Sequence, residues 1–239
     1  MKKNILLIAA LALLTLGFTS CEKKSAGLTS ITYYADIQLE GDSYMVVAKG
    51  STFVDPGFTA TMAGKDVSDQ VEVESDVDTS ASGIYTITYS IVNADGFPSS
   101  ATRTVVVLDL TDPIEGIWKV DRANSFRIYD GGAPGAYKGA FEFLILADPR
   151  GFYYVEDLMA GWYAQGAGYG ANYAMMAYVA VAPDFSLQLL ASAVPGWGDA
   201  ADDLQEGVWD PTTNTISYVL FYAGVIEFHV TINKVDLGL

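Results

Sequence analysis

From Ile31 to Ile232 the chain is a succession of short runs in which apolar and polar residues alternate, cut repeatedly by Gly, Pro and Asp. Period-two alternation buries one face of a strand and leaves the other polar, so the pattern argues for sheets. Tyr85, Ile87, Tyr89 and Ile91 alternate with Thr86, Thr88 and Ser90, and Ile31, Tyr33, Ala35, Ile37 and Leu39 alternate with Thr32, Tyr34, Asp36 and Gln38. Gly41-Asp42, Asp55-Pro56-Gly57, Gly64-Lys65 and Asn93-Ala94-Asp95-Gly96 supply turns, because Pro presets φ and Gly tolerates a positive one. About seven strands in residues 28–110 predict an antiparallel sandwich. Leu110-Thr111-Asp112-Pro113 is the expected joint, since Pro ends a strand. Beyond it, in residues 111–239, strand-like runs recur at 117–120, 126–129, 141–146, 152–155, 173–181, 186–190, 215–222 and 225–232. About eight antiparallel strands can close into a barrel and so remove exposed edges. With 51% of residues hydrophobic, the chain has material for two packed cores.

The amino terminus carries a different message. Lys2 and Lys3, then an apolar stretch from Ile5 to Leu16, then Phe18-Thr19-Ser20-Cys21 form the order of an export signal, residues 1–20, cut just before a cysteine that receives lipid. The apolar stretch is shorter than the about 20 residues a spanning helix needs. Phe18 stands where such signals more often carry Leu, and ordinary cleavage with a bare Cys21 is the competing reading. Acylation of Cys21, palmitate included, would anchor the chain to a membrane, at about 0.8 kcal/mol per buried methylene. Residues 21–27 read as a polar tether. As the only cysteine, Cys21 leaves no intramolecular disulfide, so stability must come from the cores. Loss of Lys2 and Lys3 takes the formal charge from −16 to −18. Such a chain is repelled by phosphate backbones and anionic lipid, which argues against nucleic acid as a partner and leaves membrane attachment to the lipid.

Several motifs carry a resemblance. Asp78, Gly83, Tyr85 and Ile87 look like the tyrosine corner of an immunoglobulin-like domain, with Ile87 where antibody domains place a cysteine. Val-Asp-Pro-Gly-Phe at 54–58 and Gly-Ile-Tyr-Thr-Ile-Thr-Tyr at 83–89 resemble bacterial surface Ig-like modules, which implies a spacer or adhesion unit. Tyr33, Tyr34 and Tyr44 are candidates for a contact patch there, or ordinary strand tyrosines. Gly116-Ile117-Trp118 resembles the opening of lipocalin-type barrels, where Trp plugs one end. Together with the signal, residues 154–166 and Trp209-Asp210-Pro211, these features resemble two-domain Bacteroidetes lipoproteins: an Ig-like sandwich followed by a calycin-like antiparallel β-barrel. The resemblance implies an all-β outer-membrane lipoprotein on the periplasmic face or the cell surface, with a suspected role in glycan handling. The acidic run that often directs such proteins outward is absent after Cys21, where Glu22 is followed by Lys23 and Lys24.

The segment 161–173 combines glycines, which free the backbone, with four aromatic rings. A second loop, 194–198, adds Trp197. Sugar rings stack their C–H faces on aromatic planes, so Trp162, Tyr163, Tyr169, Tyr173 and Trp197 are the candidate binding residues for a polysaccharide or oligosaccharide. Gln165, Asn172 and Asp199 are candidates for hydrogen bonds to its hydroxyls. The plain alternative is that these rings cap the barrel core. Two other roles fit the pattern: an apolar ligand inside a barrel lined by Phe141, Phe143, Ile145, Met175, Ala177 and Val179, or an accessory subunit among outer-membrane uptake proteins. No catalytic constellation emerges. His229 is the only histidine, so a His/Cys zinc site is not expected, and no Gly-x-Ser-x-Gly elbow is present. Glu156 and Asp157 are adjacent and expected on opposite faces, Asp202-Asp203 is expected in a loop, and Asp76 and Asp78 lack a full calcium-ligand spacing. The glycines 166, 168 and 170 lie between expected strands, without a helix to receive phosphate. The expectation is a non-enzyme without cofactor or metal.

Overall fold

The computed structural model describes residues 31–239. The export signal, Cys21 and the tether lie outside the described residues. The first half holds seven strands: β1 (Asp36–Leu39), β2 (Tyr44–Ala48), β3 (Phe58–Met62), β4 (Lys65–Asp66), β5 (Glu72–Ser75), β6 (Gly83–Val92) and β7 (Pro98–Leu108). They make two facing sheets, ordered β1-β3-β4 and β2-β7-β6-β5. All pairings are antiparallel except β2 with β7, which run parallel from Tyr44↔Thr104 to Ala48↔Leu108. Ile87, Tyr89 and Val105 are fully buried between the sheets, against Leu39, Val47 and Phe58.

The expected tyrosine corner is present: Tyr85 Oη donates to Ala81 O at 2.9 Å, four residues upstream, and Ile87 is buried. Replacing Tyr85 with Phe should cost about 1 kcal/mol, the net worth of one such bond. Urea unfolding of the two proteins checks this; an unchanged midpoint would reduce the corner to ring packing. The first strand is shorter than the alternation predicts. Residues 33–35 hang on side chains instead, with Asn93 Nδ2 donating to Tyr33 O at 2.8 Å and Ala35 N donating to Ser99 Oγ at 3.1 Å. Tyr34 packs on Phe97 at the β6–β7 turn, whereas Tyr44 lines a cleft between the two halves.

Arg103 is the unexpected core residue. Its side chain is wholly buried on β7 beside Asp55, with Nε 3.1 Å from Asp55 Oδ1. It donates to the carbonyls of Glu40, Asp42 and Gly57 and to Tyr89 Oη, and Tyr89 in turn donates to Asp55 Oδ2 at 2.7 Å. The Asp55-Pro56-Gly57 turn is thus tied into the sandwich by one guanidinium, whose planar fork suits several acceptors at once.

The second half is one curled antiparallel sheet of ten strands: β8 (Gly116–Val120), β9 (Phe126–Tyr129), β10 (Gly135–Ala136), β11 (Glu142–Asp148), β12 (Phe152–Val155), β13 (Met176–Val181), β14 (Leu187–Ala193), β15 (Ala201–Asp210), β16 (Thr215–Tyr222) and β17 (Ile226–Lys234). From β8 the sheet extends through β11-β12-β13-β14 on one side and through β17-β16-β15 on the other. The curl brings β14 and β15 together without a continuous ladder. One bridge, Ser186↔Val208, and single bonds from Ala201 N to Ser192 Oγ and from Trp209 N to Phe185 O close that seam. The architecture is therefore a half-barrel of the calycin kind.

β15 corrects the sequence reading, which placed Asp202-Asp203 in a loop. Register shifts between Ala201 and Asp203 and between Gln205 and Val208, with Glu206 at φ +52°, break the period-two pattern along this strand. The barrel interior corrects a second expectation. Phe143, Ile145, Met175, Ala177 and Val179 are buried in the half-barrel's own core, and the interior void measures about 20 Å³. That is the scale of one water molecule and holds no acyl chain. Trp118 is fully buried, with Nε1 donating to Ile114 O at 2.8 Å. Gly116 beside it sits at φ +153°, a backbone conformation that strains a residue with a side chain, and a Cβ there would also displace Lys234, whose Nζ donates to the carbonyls of Asp112 and Pro113.

The two halves share a packed seam. Val106 and Leu108 of β7 are buried against Ile117, Leu144 and Leu146 of the half-barrel's outer face, with Val46, Tyr154 and Leu237 at the border. Buried Glu115 spans the joint, accepting from Asp109 N at 2.7 Å and from Ala147 N at 3.2 Å.

Candidate aromatic binding site

The long connection from β12 to β13 builds the site. It begins by diving into the half-barrel's mouth, where Leu158, Met159 and Ala160 are fully buried. Asp157, 2% exposed, organises the dive. Its carboxylate accepts from Met159 N at 3.0 Å, Gly161 N at 2.9 Å and Met175 N at 3.0 Å, so one side chain fastens both ends of the excursion. Burial pushes its pKa up to about 6 against the pull of those three donors. Tyr137 and Tyr218, both buried, donate their hydroxyls to Met159 O and Leu158 O, and burial raises both phenols well above the usual tyrosine value.

Gly161 then turns the chain outward at φ +79°, where a Cβ would stand 2.6 Å from Phe141 Cβ. A π-helical turn, Trp162–Gly166, follows, closed by Gly166 N to Gly161 O and Ala167 N to Trp162 O. Such turns are rare and occur often at functional sites. Trp162 and Tyr163 are both half-buried and edge-on to Phe228, at 5.9 and 6.0 Å; Trp162 also meets Tyr137 at 4.9 Å, while Tyr163 meets Trp197 at 4.8 Å.

Four of the five expected residues form one cluster. Tyr163, Tyr169, Tyr173 and Trp197 are joined by five ring pairs at 4.8 to 6.2 Å. Tyr169 and Trp197 are the most open, 55% and 40% exposed, over half-buried Tyr163 and Tyr173. Trp162 stands apart at the edge of the core. The two loops meet through Gly196 N, which donates to Asn172 O at 2.7 Å; a Cβ at Gly196 would stand 2.7 Å from the Tyr173 ring. Of the expected polar groups, Asp199 lies at the rim and accepts from Tyr222 Oη at 2.7 Å. Asn172 is exposed on the loop, whereas Gln165 is committed elsewhere, donating to Glu142 O at 2.8 Å.

Two residues that sequence reasoning passed over belong to this region. Tyr222, at the end of β16, lies 6.2 Å from Trp197, its phenol held up by burial and by Asp199. Arg127, on β9, lies 4.8 Å over the Trp162 ring and donates from Nη1 to Tyr163 Oη at 3.1 Å. A cation in the middle of an aromatic strand run, Phe126 to Tyr129, was the available signal for it.

The groups weighed for catalysis are dispersed. Glu156 accepts from Leu144 N at 2.9 Å, while Asp157 is spent on the loop. His229 stacks on Phe126 at 4.4 Å and meets Glu227 at 3.2 Å, a local strand arrangement. Among the described residues no group of three or more His, Cys, Asp or Glu side chains is placed to hold a metal ion.

Comparison with known proteins places this geometry. A family model for a bacterial surface protein Ig-like domain matches residues 37–107, and a second, for a C-terminal domain, matches residues 107–234. The crystal structure of the lipoprotein BT2262 from Bacteroides thetaiotaomicron is 36% identical, with a TM-score of 0.71, covering 84% of this chain and 100% of that one. The structure of CBM51-2 in complex with GlcNAc and INT domains from Clostridium perfringens ZmpB is 17% identical over 85% of this chain and 45% of that one; its TM-score of 0.26 bears on neither fold nor ligand. No curated protein matches the chain. Ig-like sandwich, C-terminal half-barrel and 36% identity over the whole of the BT2262 chain together show that the chain belongs to the family of two-domain lipoproteins that includes that Bacteroides protein.

Proposed function

We propose that this protein is a non-catalytic glycan-binding lipoprotein, held at the outer membrane through an acylated Cys21, whose half-barrel presents an aromatic platform to extracytoplasmic polysaccharide. The observation that supports the reading is the convergence of Tyr163, Tyr169, Tyr173 and Trp197 from two loops that are hydrogen-bonded to each other. Packed rings with one open face cost little entropy to present, and each has two rotatable side-chain bonds. Tyr169 and Trp197 supply the open faces, with Asp199 and Asn172 at the rim as hydrogen-bonding groups. The Ig-like half acts as the spacer between lipid and platform.

Affinity electrophoresis of the chain from Glu22 onward against a panel of soluble polysaccharides tests this. At least one should retard the wild type, and Trp197→Ala and Tyr169→Ala should each weaken that binding about tenfold, as loss of one stacking face implies. Unaltered binding in both exposed-ring variants would remove the platform from the mechanism.

A further inference from the structure

Beside the platform lies a pocket of about 250 Å³ lined by Arg127, Lys138, Phe141, Trp162, Tyr163 and Tyr169. Its charge is opposite to that of the rest of the molecule. The chain carries 29 acidic against 13 basic side chains, yet this pocket is lined by two cations and no carboxylate. Lys49, Arg103, Lys119 and Arg150 are each paired with an Asp or Glu; Arg127 and Lys138, like Lys65, Arg122 and Lys234, meet none among the described residues, but they are the two that share one pocket. The cleft on the far side of the same loop is the reverse: Glu142, Glu156 and Asp157 line it without a cation.

Arg127 is held ready rather than consumed. The Trp162 ring under its guanidinium and the bond to Tyr163 Oη fix its plane, and one hydrogen bond leaves further N–H groups of the fork for a ligand. By accepting from Arg127, the Tyr163 hydroxyl has its own proton to donate outward. Tyr163 and Tyr169 are shared between pocket and platform, with rings nearly parallel at 16° and centroids 6.2 Å apart.

We propose that this pocket receives the anionic substituent, carboxylate or sulfate ester, of an acidic sugar residue in a glycan that lies on the neighbouring aromatic platform. The inference rests on the glycan reading above and narrows its substrate class. A guanidinium binds either group through paired N–H donors, and the exposed Lys138 ammonium adds a second positive charge. The volume is just under the about 300–1,000 Å³ of sites that enclose drug-sized ligands, which suits a single ring with its substituent. Long-range repulsion from the acidic surface is screened beyond about 8 Å at physiological salt, so the local pair of cations decides the contact.

The test uses the chain from Glu22 onward and matched polymers: polygalacturonate against its methyl-esterified form, and a sulfated polysaccharide against its desulfated form. The acidic member of one pair should bind about tenfold more tightly, and that advantage should shrink with added NaCl. Arg127→Met and Lys138→Met should each reduce binding of the acidic polymer about fivefold or more, and Lys138→Met, which touches no platform ring, should leave the neutral one unchanged. Lys138 is exposed, so its variant separates lost charge from lost folding. The pair that discriminates names carboxylate or sulfate. Equal binding of acidic and neutral forms, lost in Trp197→Ala, would overturn this inference and leave the glycan reading standing. No binding of any polymer would overturn both.

Discussion

Replacing Arg103 with leucine should lower the stability of the protein by about 3–5 kcal/mol, the largest single-residue loss expected anywhere in the Ig-like half. Removal of a buried ion pair as a whole is often tolerated, because the desolvation cost disappears with it. Here that escape is closed. Asp55 could be replaced too, but the carbonyls of Glu40, Asp42 and Gly57 belong to the backbone and would remain buried without their donor. Arg103→Lys should recover only part of the loss, since one ammonium cannot reach acceptors spread around a planar fork. Denaturant titration with an unchanged slope and a lowered midpoint is the expected readout. A loss below about 1 kcal/mol in Arg103→Leu would mean that water enters and satisfies those carbonyls.

Asp157→Ala should cost about 3 kcal/mol or more, because three buried N–H groups lose their acceptor together, at about 1–3 kcal/mol each. The same substitution should change the pH profile. Burial raises the folded-state pKa to about 6, above the ordinary carboxylate value of about 3.9 in the unfolded chain. Between those values the folded state binds more protons than the unfolded one, so stability falls as pH rises and levels off above the folded pKa. The decline should be on the order of 2–3 kcal/mol in the wild type. It should be missing from Asp157→Ala, so the difference between the two profiles isolates this carboxylate. Because Asp157 fastens both ends of the loop, the variant should also lose the near-ultraviolet signal of the tyrosine–tryptophan cluster and any binding of polysaccharide at the proposed platform. A wild-type profile parallel to the variant's from pH 4 to 7 would show that the three donors outweigh burial.

Strands with clean alternation and sharp turns were legible from residues alone. The expected spans at 126–129, 152–155 and 215–222 coincide with β9, β12 and β16. β15 was not legible, because bulges set Asp202, Asp203 and Glu206 out of phase with the pleat. The tyrosine corner was readable because its hydrogen bond is local, spanning four residues. The Arg103 network was not, since its partners lie 46 to 63 residues away in the chain. At the site, aromatic content found Tyr163, Tyr169, Tyr173 and Trp197 but could not show that Trp162 pairs with Tyr137 instead of joining them. Gly161, with no Cβ to meet Phe141, admits the π-helical turn that carries Trp162 and Tyr163. Tyr222 and Arg127 come from strands remote in sequence, which only the curl of the sheet brings alongside.

The shared seam at Val106 and Leu108 has a mechanical consequence. A polymer held at the loops of the half-barrel would exert a sideways pull on the whole molecule. With Leu108 wedged beneath Leu144 and Leu146, and Glu115 bolting the joint from both sides, that load passes into β7 as into a girder instead of bending a hinge. The aromatic cluster therefore keeps a set bearing relative to the Ig-like post.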